Sequence, residues 1–164
     1  MKSLSICAAL LVVTGCASIG GIGRLVQAPR FEEAPGRDAE LRLLPPSAAN
    51  PAGGVGVRLW AQVTNPNPFA LRLSTLRGSI FLDDVRASEV DLPLGLSLAA
   101  AGETEFPIDV TVGFSDLPQL AAVIRRAIGR EPVRYRLDGT VGVDAGRLGN
   151  PEFGPMTLLE GTAR

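Results

Sequence analysis

The chain has 164 residues, 46% of them apolar and 20% charged, with 16 basic side chains against 17 acidic ones and no histidine. A formal charge of −1 gives no electrostatic reason to expect nucleic acid or an anionic surface as partner, and the missing histidine removes the commonest general base and metal ligand. Nineteen glycines, 13 prolines and few aromatics, beside abundant Val and Leu, favour a small all-β domain with many turns over a helical bundle.

Lys2 is followed by an uncharged apolar stretch, Leu4 to Val13, and then by Thr14-Gly15-Cys16. A charged start, a short apolar segment and small residues at a cleavage point describe a secretory signal, too short for a spanning helix. With cysteine as the first residue after the cut, the segment resembles a bacterial lipobox. That resemblance implies removal of residues 1–15 and a diacylglyceryl thioether on Cys16, often with a further N-acyl chain. Two or more chains anchor stably, at roughly 0.8 kcal/mol per buried methylene. Cys7 leaves with the signal, so the mature chain keeps one cysteine, taken by lipid, and no disulfide framework is possible. Ala17 rather than an acidic residue follows the anchor; by resemblance to proteobacterial lipoproteins this implies the outer membrane, facing the periplasm.

Residues 17–23, Ala-Ser-Ile-Gly-Gly-Ile-Gly, read as a spacer, because their glycines neither follow a strand pattern nor open a helix as a nucleotide loop would. The expected division is a signal at 1–15, a lipidated tether at 16–24 and one domain at 25–164. Period-two patterning begins with short strands at Leu25 to Glu32 and Ala39 to Leu44, separated by the turn residues Ala34-Pro35-Gly36-Arg37. Pro45 to Gly54 is a loop. Val57, Leu59, Ala61 and Val63 then alternate with Arg58, Trp60, Gln62 and Thr64, which gives a strand with one core face. Trp60 falls on the outer side, placed to cover a sheet edge or to sit under a loop.

Asn65-Pro66-Asn67-Pro68 stops that strand. Proline donates no ladder bond and holds the residue before it extended, while asparagine bonds its own backbone in Asx turns. Leu71 to Leu82 and Val85 to Val90 are joined by Asp83-Asp84, a two-residue hairpin turn in which Asp tolerates the left-handed conformation. The acidic pair reads as a turn, not as a catalytic dyad. Leu92 to Leu98 is a further strand, and Ala99 to Gly102 a turn. Phe106, Ile108, Val110 and Val112 alternate against Glu105, Pro107, Asp109 and Thr111, with Pro107 marking an edge strand or a bulge.

One helical period follows, expected from Asp116 to Ile128. Leu117, Leu120, Ala121, Ile124, Ala127 and Ile128 share a face, and Arg125 and Arg126 point away. Asp116 and Gln119 have capping-box spacing, Pro118 suits the first turn and Gly129 the terminus. Val133, Tyr135, Leu137, Gly139, Val141 and Val143 then alternate with the outward Arg134, Arg136 and Asp138; Arg147 to Pro151 turns the chain and Phe153 to Leu159 ends it. Seven to nine short strands with one late helix predict a β-sandwich.

The order of these features, from Asn65-Pro66-Asn67-Pro68-Phe69 through Asp83-Asp84, Ala101-Gly102-Glu103-Thr104 and the helix to Val133-Arg134-Tyr135-Arg136-Leu137-Asp138-Gly139-Thr140, resembles the late embryogenesis abundant group 2 family, also called the water stress and hypersensitive response (WHy) domain. The resemblance covers roughly residues 25 to 161. It implies an immunoglobulin or fibronectin type III-like sandwich and an association with desiccation and other stress, and it implies no active site. The chain departs from the family in its insertion at Pro45 to Gly54.

The leading functional reading is a non-enzymatic, membrane-anchored envelope lipoprotein concerned with stress protection or binding. A lipid or apolar-ligand module is the alternative, with Leu117, Leu120 and Ile124 facing the ligand; an unfilled cavity beneath residues 116 to 128 would mark it. A third is an adaptor that adds a partner strand along Phe106 to Val112, which Pro107 argues against. Gly-x-Ser-x-Gly, a Cys/His pair and metal-spaced clusters are all missing from the sequence, so no catalytic residue, metal or cofactor is expected.

Overall fold

Sequence alternation becomes burial alternation in the central strand β3, Gly54–Thr64: Val57, Leu59, Ala61 and Val63 are buried, and Arg58, Trp60, Gln62 and Thr64 are half-buried. The computed structural model describes residues 25–48, 51–113, 120–129 and 131–163. Cys16, the tether at 16–24 and the expected first helical turn at 116–119 lie outside the described residues.

Around β3 is built a four-stranded antiparallel sheet. Strand β6, Glu103–Gly113, pairs along the whole of one side of β3. On the other side β1, Arg30–Glu33, takes the C-terminal half and β2, Glu40–Leu44, the N-terminal half. The second sheet, also antiparallel, has the order β5-β4-β7-β8 and contains β4 (Leu71–Leu82), β5 (Val85–Leu98), β7 (Val133–Asp144) and β8 (Glu152–Ala163). The sheets close over Leu59, Leu73, Leu76, Ile80, Ile108 and Leu137, none more than 1% exposed. Each such side chain contributes about 1.5–3 kcal/mol on burial. The fold is the all-β sandwich expected, with one short helix, α1, at Ala121–Ile128.

The structure departs from the sequence reading at the first strand, at Asp91, on the face of α1 and in the last strand, where β8 runs to Ala163 and not Leu159. The first strand starts at Arg30, not Leu25, because the backbone N–H and C=O of Gln27 are both taken by the side chain of Asn67 and Pro29 has no N–H to give a ladder. The two strands expected on either side of Asp91 are one: β5 pairs with β4 from Val85 opposite Leu82 to Leu98 opposite Leu71, and its edge position tolerates Pro93. On α1, the face is rotated. Leu120, in the turn just before the helix, and Val123 are buried and Ile124 packs against the core, whereas Ala121 is exposed and Ile128 is 66% exposed.

Glycine 139, in the Tyr135-x-Leu137-x-Gly139 run, sits opposite Gly78 in the β4–β7 ladder. A Cβ at Gly139 would strike the carbonyl oxygen of Arg77 and lie 3.2 Å from the Gly78 Cα. Only a residue without a side chain lets the strands approach this closely.

Candidate functional site

The β3–β4 corner is held by two asparagines with no exposed surface. Asn65 Nδ2 donates to the carbonyls of Phe69 and Ala99, each at 2.8 Å. Its Oδ1 accepts from the backbone N–H of Asn67 at 3.0 Å, an Asx turn, and from Asn67 Nδ2 at 2.9 Å. Asn67 then pairs with the backbone of Gln27 as a neighbouring strand would, accepting from its N–H at 2.7 Å and donating to its carbonyl at 2.9 Å. Main-chain bonds from Asn65 N to Gly102 O and from Ala101 N to Asn67 O bring in the β5–β6 turn. Three segments distant in sequence thus meet in one dry network, and each side-chain amide uses both its donors. Pro66 is half-buried and Pro68 exposed; they shape the path and make no part of the network.

The opposite end is held by charge. Asp83 and Asp84 form the β4–β5 turn with φ of 47° and 64°, the left-handed pair of a type I′ hairpin. Asp83 Oδ2 accepts from Arg126 of α1 at 2.6 Å, and Oδ1 accepts from the Arg134 N–H at 3.1 Å. Asp84 meets Arg134 at 3.0 Å and Arg136 at 3.2 Å. Arg126, expected to point away, instead reaches the hairpin and the carbonyl of Pro132. Val123 lies three residues before it on the same side of α1, so burial of Val123 carries Arg126 toward the hairpin.

Beneath α1, Leu120, Val123 and Ile124 close on Leu41, Val55, Leu82 and Val112, leaving a wholly apolar gap of about 10 Å³. That is no larger than the space one water needs. Leu117, the third residue assigned to a ligand face, lies outside the described residues.

Two other features join parts that the sequence leaves separate. Tyr135 is 4% exposed and its hydroxyl donates to Glu33, linking β7 of one sheet to β1 of the other. Burial first, and then the Glu33 carboxylate, raise its pKa well above the ordinary phenol value, so it remains a donor at any physiological pH. Arg37, in the β1–β2 turn, lies over the ring of Trp60 at 4.4 Å from its centroid, so the tryptophan on the outer face sits under a loop. Among the described residues no cluster of three metal-ligating side chains occurs, and no helix is long and apolar enough to cross a membrane.

The described residues thus form a two-sheet antiparallel sandwich, closed at one end by paired asparagines and carrying one late helix. The sequence profile of the late embryogenesis abundant protein family matches residues 61–156, and the chain belongs to that family. Its fold is similar to the solution structure of an Arabidopsis thaliana protein, with a TM-score of 0.56 and 20% identity over 78% of each chain. It is also similar to the solution structure of a putative late embryogenesis abundant protein, with a TM-score of 0.50 and 17% identity over 82% of this chain and 70% of that one. A comparison with curated proteins finds no match.

Proposed function

We propose that this is a non-enzymatic protein of the WHy type, anchored to the outer membrane through lipid on Cys16, whose sandwich serves stress or desiccation protection in the periplasm. The observation that carries the non-enzymatic part is the use made of its buried polar groups. Asn65 and Asn67 spend their hydrogen bonds on backbone and on each other, and the hydroxyl of the buried Tyr135 is spent on Glu33 across the sheets. Their role is architectural. Membership of the late embryogenesis abundant family, together with the similar fold of a putative protein of that name, supports the stress role.

The anchor rests on the run Thr14-Gly15-Cys16 after an apolar segment. The apolar-ligand alternative would require the gap beneath α1, about 10 Å³, to open. The natural contact of such a protein is then the membrane through its N-terminus, with a protein or lipid partner beyond it and no nucleic acid.

The test uses the full chain expressed with an alkyne analogue of palmitate, as wild type and as Cys16→Ser. Label is expected on the wild type alone. Vesicles bearing the lipidated protein are then dried and rehydrated with a labile enzyme, and the enzyme is expected to keep more activity than with bare vesicles. Label on the Cys16→Ser chain would defeat the anchor; equal loss of activity with and without the protein would defeat the protective role.

A further inference from the structure

We propose that the asparagine end of the sandwich is a lipid-facing surface, whose loops rest on the bilayer that holds the anchor. This inference rests on the proposed lipidation of Cys16. It goes further by fixing which end of the domain meets the membrane.

The first support is where the chain emerges. The described domain begins at Leu25, and two residues later Gln27 is clamped to Asn67, so the N-terminal segment leaves from the asparagine end. Residues 17–24 reach at most about 30 Å when fully extended, at ~3.3–3.6 Å each. Strand β3 has 11 residues and β4 has 12, which puts the helix end about 35 Å away along the strands. The tether therefore falls short of allowing the helix end to stand on the membrane in its place.

The second support is surface chemistry. The loops 25–29, 65–70, 99–102 and 145–151 build this end with Arg147 as their one charged residue, and exposed charges at Arg30, Arg72, Glu103, Asp144 and Glu152 ring them at the strand ends. Leu25 is 63% exposed; Pro68, Ala70 and Ala99–Ala101 are exposed, and Phe69 is half-buried. The loop tips can touch the headgroup boundary while the strand-end charges stay in water behind them, and the long side chain of Arg147 can keep its guanidinium in water. The helix end presents the carboxylates and guanidiniums of Asp84, Arg134 and Arg136, all at least 37% exposed, whose transfer toward lipid would carry a heavy desolvation cost. A short tether also holds the rim beside lipid at high effective concentration, which favours the bilayer over a dissolved partner as occupant.

The experiment places one cysteine in the full lipidated chain on vesicles, either Ala100→Cys at the asparagine end or Ala121→Cys on the exposed side of α1. Each carries a polarity-sensitive fluorophore, and the vesicles contain lipid with a nitroxide quencher near the headgroup. At position 100 the dye is expected to shift to the blue and lose most of its emission, while at 121 it keeps its aqueous spectrum and its intensity. Equal quenching at both positions, or none at either on vesicle-bound protein, overturns the orientation alone. The parent chain, with no added thiol, is the control for the anchor. Dye on Cys16 of that chain, read by peptide mass so that Cys7 of uncut precursor is told apart, overturns the anchor and the orientation together.

Discussion

At one end of the sandwich, Asn65 and Asn67 are neutral and have no exposed surface; at the other, Arg126 meets Asp83 with 42% and 16% of their side chains exposed. Both arrangements tie elements about 40 residues apart, Gln27 to Asn67 and Asp83 to Arg126. Their energetics differ in kind. A buried amide that loses its partner suffers its full desolvation penalty, whereas a partly wet ion pair falls back on water and is already weakened by salt. Such a difference lets one end be rigid and the other adjustable within the same fold.

Asn65→Ala should give the largest effect. It strips partners from two carbonyls and two donors of Asn67, each worth about 1 kcal/mol or more, so a loss of about 4 kcal/mol in urea unfolding is expected, unchanged by added salt. A loss below that of an ordinary helix-cap substitution, about 1 kcal/mol, would erase the contrast between the ends. Leu120→Ala comes next, at about 2–3 kcal/mol. This is the low end for burial lost from a leucine, because an eight-residue helix at the margin of the core can settle into the space. A cost near zero, with a lipid copurifying with the parent chain and absent from the variant, would turn that region into a ligand site. Arg126→Ala should cost least, about 0.5–1 kcal/mol at low ionic strength, and the difference from wild type should vanish in 1 M salt. If it persists there, the ionic end is held by packing and not by charge.

Strands β3, β4 and β7 were legible because alternation is local: the side chains that define the core face lie two residues apart in sequence. The type I′ turn at Asp83-Asp84 and the edge role of β6 could be read for the same reason, from two adjacent aspartates and from Pro107. What the sequence hid was partnership across distance. Nothing near Gln27 indicates that its backbone serves Asn67 and not a strand, and nothing in α1 indicates that Arg126 turns inward to a carboxylate in the β4–β5 turn. Helical periodicity alone allowed Leu120 to be grouped with Ala121 and Ile128, whereas the structure buries Leu120 with Val123. The corner motif was visible as a stop signal, but its scale was not, since half of its hydrogen bonds end on Gln27 and Ala99.

Strand β1 begins at the asparagine end and runs away from it, antiparallel to β3, with Arg30 opposite Thr64 and Glu33 opposite Ala61. Tension applied through the residues before Leu25 therefore draws β1 along its own axis. Its ladder bonds lie across that axis, so they carry the load together in shear, where a strand pulled from its side would unzip bond by bond. The Gln27 clamp on Asn67 takes up the pull first. A pull on the segment before Leu25 must break that clamp and the β1 ladder together before β1 can leave β3, the spine of its sheet.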